Sequence, residues 1–554
     1  MSGRSGWPLR MGPIGIIATA LGFCAGCAAG KPASTIGPGS DGGSDAVPVH
    51  CLGNTTCQGN ARNAVFACQR NGSPGQLLET CGTGLVCSLG RCVSESCADG
   101  EVHASISGCL FYVTVLDNVA SDDDKPTLIV VTNPGETTAM VQLQERAEPG
   151  SWTNPAHVPV PAGSAPSFSV VKEQVQISPQ GNPQPDPPPG RRVVSDAPVT
   201  VMMVESDDAD SMATSSAGTM VLPAHALGTN YMTMSYQQVD TIKVDAIPGS
   251  RGGAAEIAVV ATQDHTSIWI YAPLLPTGAM PMPVVLDHDG DVFQIASSGN
   301  LDSLAGTVIA SDQRVAVFSG NVTTTYGQNV DGLNSPDMAM EQMMPTGSWS
   351  QTYLAARLPA QSQACDSIFP AGVMSFWQVM ALEDAQVTFT SASNQPLPGL
   401  PTETMPMSKG VAYPYWVSST LDFIVKANRP ILVMQGIDCE PTLASAVPID
   451  APADVQLFTL APNFDHMLAI VRKNDGRRVM LDDTTDITGQ FTPVASGFEV
   501  AHIEVPPCYG PIEQCMHTLT GAFGMTLRGM DVSSSYSTTF PSWPQCNSDS
   551  CLPF

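Results

Sequence analysis

Asp287-His288-Asp289-Gly290-Asp291 puts four metal-ligating side chains into five residues of this 554-residue chain. A calcium loop of the EF-hand kind needs D-x-D-x-D-G with Glu at the twelfth place. Here Gly comes too early and the twelfth residue is Ser298, so the run reads as a polar hairpin turn. Asp122-Asp123-Asp124 and the Glu205–Asp210 stretch read as solvated acidic loops. His502-Ile503-Glu504 ahead of Pro507-Cys508 has the start of the H-x-E…P-C-x-x-C zinc deaminase pattern. The next cysteine, Cys515, lies too far on for that pattern. Cys508 and Cys515 therefore read as a disulfide across a loop, with zinc at neighbouring His517 as the rival reading. Met338, Met340, Met343 and Met344 could hold Cu(I), but methionine numbers 25 in the chain, and gap-filling in a core is the simpler account. G-x-S-x-G, P-loop and H-E-x-x-H motifs are missing from the sequence. The expectation is a chain with no catalytic residues, no metal and no cofactor.

Cysteine carries the remaining chemistry. Arg4 and Arg10 precede an apolar run from Ile14 to Phe23, which ends in Cys24-Ala25-Gly26-Cys27. A basic start, a short apolar stretch and small residues make an export signal. A cysteine after Ala-Gly resembles a bacterial lipoprotein signal, in which Cys27 is the first mature residue and carries the lipid. Cys24 stands where such signals usually have Leu; an ordinary signal-peptidase cut near Ala25 or Ala28-Ala29 is the alternative. The run is shorter than the ~20 residues that span a bilayer.

Fourteen cysteines remain after Cys24 and Cys27: Cys51, Cys57, Cys68, Cys81, Cys87, Cys92, Cys97, Cys109, Cys365, Cys439, Cys508, Cys515, Cys546 and Cys551. An even number in an exported chain points to disulfides. The first eight crowd into residues 51–109, which hold few large apolar groups. So poor a core needs cross-links, and sequence alone does not choose among the pairings.

These residues sit in a legible layout. Residues 1–26 are the signal, and 27–50, rich in Gly, Ser and Pro, are a flexible tether. Residues 51–109 are a disulfide module, 110–537 a repeated β region and 538–554 a C-terminal tail. Net charge is -28, with 23 basic and 51 acidic side chains. Such a surface repels phosphate backbones and excludes nucleic acid as a partner. It also leaves lipid, rather than a basic patch, as the tie to a membrane. Charged residues make up 13% of the chain, while Gly numbers 49 and Pro 47. Short Val/Ile/Thr-rich runs between turn residues then indicate an all-β fold. Residues 178–192 form a Pro-rich excursion, read as an exposed loop.

The β region repeats. Val193-Val194-Ser195-Asp196-Ala197-Pro198, Val308-Ile309-Ala310-Ser311-Asp312-Gln313-Arg314 and Ile424-Val425-Lys426-Ala427-Asn428-Arg429-Pro430 each lead into a second apolar run. Each is read as strand, small polar turn, strand. A second hairpin recurs at 257–270 and 379–389, with weaker echoes from Leu128 and from Leu468, the last turning at Asn474-Asp475-Gly476. About four consecutive β units follow, packed as sandwiches, with a propeller-like arrangement as the alternative.

The segments SDQRVAVFSGN (311–321), MEQMMPTGSWSQTYL (340–354), VMALEDAQVTF (379–389), ANRPILVMQG (427–436) and FGMTLRGMDVSSSYS (523–537) make the chain resemble the IgGFc-binding protein N-terminal domain family. The resemblance runs from about residue 110 to 537 and is clearest after 190. The layout is similar to that of bacterial surface lipoproteins of this family, many of them myxobacterial. It implies an extracellular binding or adhesive module without catalysis. Fc binding, for which animal members are named, has no residue motif to carry over.

The functional expectation is a lipoprotein held at the outer membrane or cell surface through its lipid, binding an extracellular protein or glycan. Its rivals are an exported hydrolase or glycan-active enzyme on a β scaffold, and a structural envelope component that associates through strand edges.

Overall fold

The fold comes from a computed structural model. It describes residues 55–540 apart from 58–62, 69–73, 103–105, 117–125, 149–150, 172–189, 206–215, 238–252, 273–280, 298–301, 325–336, 359–373, 392–396, 419–420, 438–441, 450–452, 461–463, 496, 510–514 and 531–534. The signal, Cys27, the tether, Asp122–Asp124, most of the Pro-rich excursion and the tail from residue 541 lie outside the described residues. Two compact units divide the chain, 1–47 and 48–554, and all the described residues belong to the second.

The β region is four copies of one construction, built on four long strands: Arg191–Glu205, Val308–Thr324, Phe423–Ile437 and Met516–Met530. The repeats span 108–221, 228–342, 350–445 and 453–540. Each long strand belongs to two sheets. In repeat 2 its first half lies between Gly228–Met232 and Thr266–Tyr271, and its second half between Ala255–Ala261 and Asp337–Gln342. The same four antiparallel partnerships recur in repeats 1, 3 and 4.

The polar segments read as turns are something else. Ser195–Pro198, Ser311–Arg314 and Ala427–Pro430 lie inside the long strands, which continue through them. In repeat 1 the register shifts there, between Val194 and Val199. The second set of predicted hairpins is also corrected. Ala255–Ala261 and Thr266–Tyr271 do not pair with each other. They run in the same direction along one side of the long strand, parted by a four-residue loop at the level of the polar segment. Met374–Ala381 and Ala385–Thr390 do the same in repeat 3, and Asn474-Asp475-Gly476 likewise leads from one sheet to the other.

The physical reason is a crease where the two sheets meet. A crease interrupts the ladder, and the orphaned donors need other acceptors. Asp196, Asp312 and Asn428 supply them, accepting from the backbone N–H of Met140 (2.7 Å), Ser267 (2.8 Å) and Gln386 (2.8 Å). A crease and a hairpin turn both select small polar residues, so the sequence signal is shared.

The last strands of the repeats, Ala217–Val221, Asp337–Gln342, Thr442–Ser445 and Ser535–Phe540, pack against one another in a closed ring. Outward from each run the second half of the long strand and two further strands, a four-stranded blade. The all-β, four-repeat expectation therefore holds, and the ring between repeats is propeller-like, the arrangement given as the alternative. The main core fills with Val, Ile, Met and Phe from repeats 1 to 3, including Phe111, Val201, Val259, Phe318 and Met434.

The stapled region precedes repeat 1. Disulfides join Cys57 to Cys87, Cys81 to Cys92 and Cys97 to Cys109. They replace a core that otherwise amounts to little beyond Val65 and Val93. A short helix, Glu95–Val102, lies against the first long strand; Ser94 Oγ donates to the Asp196 carbonyl at 2.7 Å.

Candidate functional site

Strand Thr266–Tyr271 alternates strictly. Ile268 and Ile270 are buried, while Trp269 and Tyr271 are 38% and 47% exposed. Alternate residues of a strand line one face, roughly 7 Å apart, so the two aromatic rings stand side by side on the outer face of repeat 2. The neighbouring edge strand, Met282–Leu286, adds Pro283 directly opposite Trp269, and Val285, 60% exposed, opposite Ser267. One row across the sheet reads Pro283, Trp269, Ala310, Asn230; the next reads Tyr271, Val308 and Met232, of which Met232 is buried. None of these seven side chains is charged.

The repeats allow a comparison position by position. Ser195, Ser311 and Ala427 occupy equivalent places at the crease. Their cross-strand partners are Val141, Ile268 and Val387. Trp269 therefore corresponds to Gln142 in repeat 1 and Thr388 in repeat 3, and Tyr271 to Gln144 and Thr390. In repeat 1 both glutamines are buried. Gln142 Nε2 donates to Asn154 Oδ1 (3.1 Å) and the Pro155 carbonyl (2.6 Å), and Gln144 Oε1 accepts from Arg192 Nε (2.7 Å). In repeat 3 the threonines face outward with little apolar surface. Only repeat 2 among these three presents aromatic rings there. Exposed large apolar groups in a cluster mark interaction surfaces, and Trp and Tyr suit them because one end is apolar and the other can stay wet. Sequence reading placed Trp269 on a strand but gave it no role. The alternation Ile-Trp-Ile-Tyr, with the larger and more polar rings on one parity, was the available signal.

The residues singled out from the sequence are mostly occupied elsewhere. Asp289 Oδ2 accepts from Trp152 Nε1 (3.0 Å) and Arg192 Nη1 (2.8 Å), and Asp291 Oδ1 from Arg146 Nη1 (2.7 Å). The Arg192 guanidinium also lies 4.2 Å over the Trp152 ring. Burial holds the Asp289 carboxyl above its ordinary range, and the Arg192 charge works against that shift. The Asp-rich run is thus a clamp that docks repeat 2 on repeat 1. It is not a hairpin turn either, because the strands it joins, Met282–Leu286 and Val292–Ala296, pair with different neighbours. Gly290 is required there. Its φ is +85°, and a Cβ would come within 2.4 Å of the Trp152 ring.

Cys508 and Cys515 form a disulfide, and His517 Nδ1 lies 2.8 Å from Asp482 Oδ2. His502 Nε2 stands 3.3 Å from Asp422, which is also paired with Arg357, while Glu504 is exposed. Met338, Met340, Met343 and Met344 are all buried in the main core. Glu205 is no loop residue: it ends the first long strand and is buried. Cys51, Cys365, Cys439, Cys546 and Cys551 lie outside the described residues, as does the side chain of Cys68. Among the described residues no three His, Cys, Asp or Glu side chains gather as a metal site, and no helix is long and apolar enough to cross a membrane.

Several buried acids were not anticipated, and Glu341 lies where three repeats meet. Glu341, on the inner strand of repeat 2, reaches Thr219 Oγ1 of repeat 1 (3.4 Å) and Ser445 Oγ of repeat 3 (3.3 Å). Burial pushes its carboxyl well above the ordinary range, against those hydrogen bonds. It ties three inner strands together at the ring. Nearby, Gln342 Oε1 accepts from the Leu222 N–H (2.5 Å) and Asp337 Oδ1 from the Ser216 N–H (2.7 Å).

Comparison with known proteins gave one result. The family model described as IgGFc binding protein matches residues 217–529. Neither the curated proteins nor the solved structures gave a match. The matched segment runs from the inner strand of repeat 1 to the long strand of repeat 4 and covers more than half of the sequence, so the chain belongs to the IgGFc-binding protein family.

Proposed function

We propose that this chain is a non-catalytic binding or adhesion lipoprotein of a bacterial surface. Cys27 carries its lipid, residues 27–50 give the reach, the stapled module stands as a stalk, and the ring of repeats is the head. The outer face of repeat 2 makes the contact with ligand. The observation that carries this reading is the exposure of Trp269 and Tyr271 at positions where repeats 1 and 3 have glutamine and threonine. Membership of a binding-type family supports it, as does the use of the conspicuous acidic and His/Cys groups in internal pairs.

Two measurements test it. Metabolic labelling with a fatty acid is expected to mark the wild type and not Cys27→Ser; equal labelling removes the anchor. Binding of the purified Cys27→Ser chain to native cell surfaces is expected to fall about tenfold when Trp269→Thr and Tyr271→Thr are combined. Unchanged binding removes the face.

A further inference from the structure

We infer that the outer face of repeat 2 takes an uncharged polysaccharide chain. This inference rests on the proposed binding role of that face and names the ligand class.

Size argues first. Trp269, Tyr271 and Val285, at 38%, 47% and 60% exposure, offer roughly 300 Å² of apolar surface, taking 150–250 Å² for a large side chain. A stable protein partner or a second copy needs about 800 Å² on each side, of which a little over half, roughly 450 Å², is apolar. The patch is too small for that and suits a few sugar units. Charge argues second. The two rows contain no charged side chain, and the chain carries -28 overall. A second copy or an anionic polymer is repelled over long range, and the carboxylate beside the patch, Asp312 in the Ser267 row, is already engaged by the Ser267 N–H at 2.8 Å. Strand addition at the edge is disfavoured too, since Pro283 removes a donor from the edge strand.

Surface chemistry argues third. The π face of an aromatic ring is electron-rich, and the C–H face of a pyranose is its complement. Two rings on one strand, roughly 7 Å apart, can stack on successive units of an extended chain. Asn230 at the end of the Trp269 row and Ser267 beside Val285 supply amide and hydroxyl groups for sugar hydroxyls.

The test uses the full chain carrying Cys27→Ser. Affinity electrophoresis is run in gels containing hydroxyethylcellulose, galactomannan, mannan or a β-1,3-glucan, with polygalacturonate as the anionic comparison. Retardation by at least one neutral polymer is expected. W269T/Y271T should weaken it about tenfold, and Trp269→Phe should largely keep it. The threonines are the residues that repeat 3 carries at these positions, so folding is expected to survive. If no neutral polymer retards the wild type, or the double variant is retarded equally, the inference is overturned. Native surfaces treated with periodate or protease separate the two levels. Ring-dependent binding lost on periodate supports a glycan. Ring-dependent binding that survives periodate and is lost on protease overturns the glycan and leaves the binding face intact. Binding indifferent to the rings overturns both.

Discussion

Repeats 2 and 3 share a backbone plan and differ in what they show to solvent. At the crease each uses a side-chain oxygen, Asp312 or Asn428, to accept the N–H that opens the next strand, Ser267 or Gln386. Two and four residues on, repeat 2 presents Trp269 and Tyr271, where repeat 3 has Thr388 and Thr390. The ladder and the crease are fixed by backbone hydrogen bonding and tolerate almost any residue on the outer face. Divergence is therefore free to collect there, and the exposed aromatic pair is what sets the outer face of repeat 2 apart from that of repeat 3. Repeat 1 shows the third outcome, with the same positions filled by buried glutamines.

That contrast predicts that scaffold changes cost stability wherever they fall, while face changes cost none. The largest expected effect lies outside the repeats. Reducing the disulfides should cost the stapled region about 2–5 kcal/mol for a native bridge and open residues 55–102 well before the long strands. Hydrogen exchange with and without reductant checks this, and uniform loosening would contradict it. Gly290→Ala should come next, at about 2 kcal/mol, because it pushes Trp152 off the Asp289 clamp and strains a positive φ. Denaturant unfolding measures it. Asp312→Ala and Asn428→Ala should each cost about 1 kcal/mol through the orphaned N–H. Similar losses in both repeats would show that the crease is one device used twice.

The inner ring gives a pH prediction. Glu341 has a folded pKa above its unfolded value near 4.5, so the fold favours the protonated form. Its contribution is present below about pH 4.5 and is lost as pH rises through the folded value. His466 works the other way. Burial, aided by the charge of His517, lowers it from 6.5 to about 3, so stability falls as pH drops from about 6.5 towards 3. An amide at position 341 does not titrate. The melting temperature of the wild type, taken relative to that of Glu341→Gln, should therefore fall between pH 4.5 and 8. A constant difference would remove Glu341 from the titration.

Much of the scaffold was legible in the sequence, and the reasons for the rest are physical. The recurrence of Ser195-Asp196, Ser311-Asp312 and Ala427-Asn428 gave the repeats. It could not separate a turn from a crease, because both expose the backbone and both use Asp or Asn to satisfy it. The fourth repeat was faint since Thr520-Gly521-Ala522 replaces the polar signature at its crease, with Gly521 at φ 128°. The Asp287–Asp291 run reads as a polar hairpin turn, whereas the structure makes it an inter-repeat clamp. Its real partners, Arg146 and Arg192, lie more than ninety residues away, a distance that spacing rules do not cover. Glu341 was hidden in a methionine-rich run whose core character was plain, but whose one acid needed the ring geometry to explain it.

The central claim is that repeat 2, and not its structural twin, holds the ligand-binding face. The most direct measurement takes three chains carrying Cys27→Ser: the parent, W269T/Y271T, and T388W/T390Y. Their binding to native cell surfaces is measured beside their denaturant midpoints. The prediction is a change in stability within about 0.5 kcal/mol for W269T/Y271T, with about tenfold weaker binding. T388W/T390Y should bind at least as well as the parent. Undiminished binding by a stably folded W269T/Y271T chain would contradict the account.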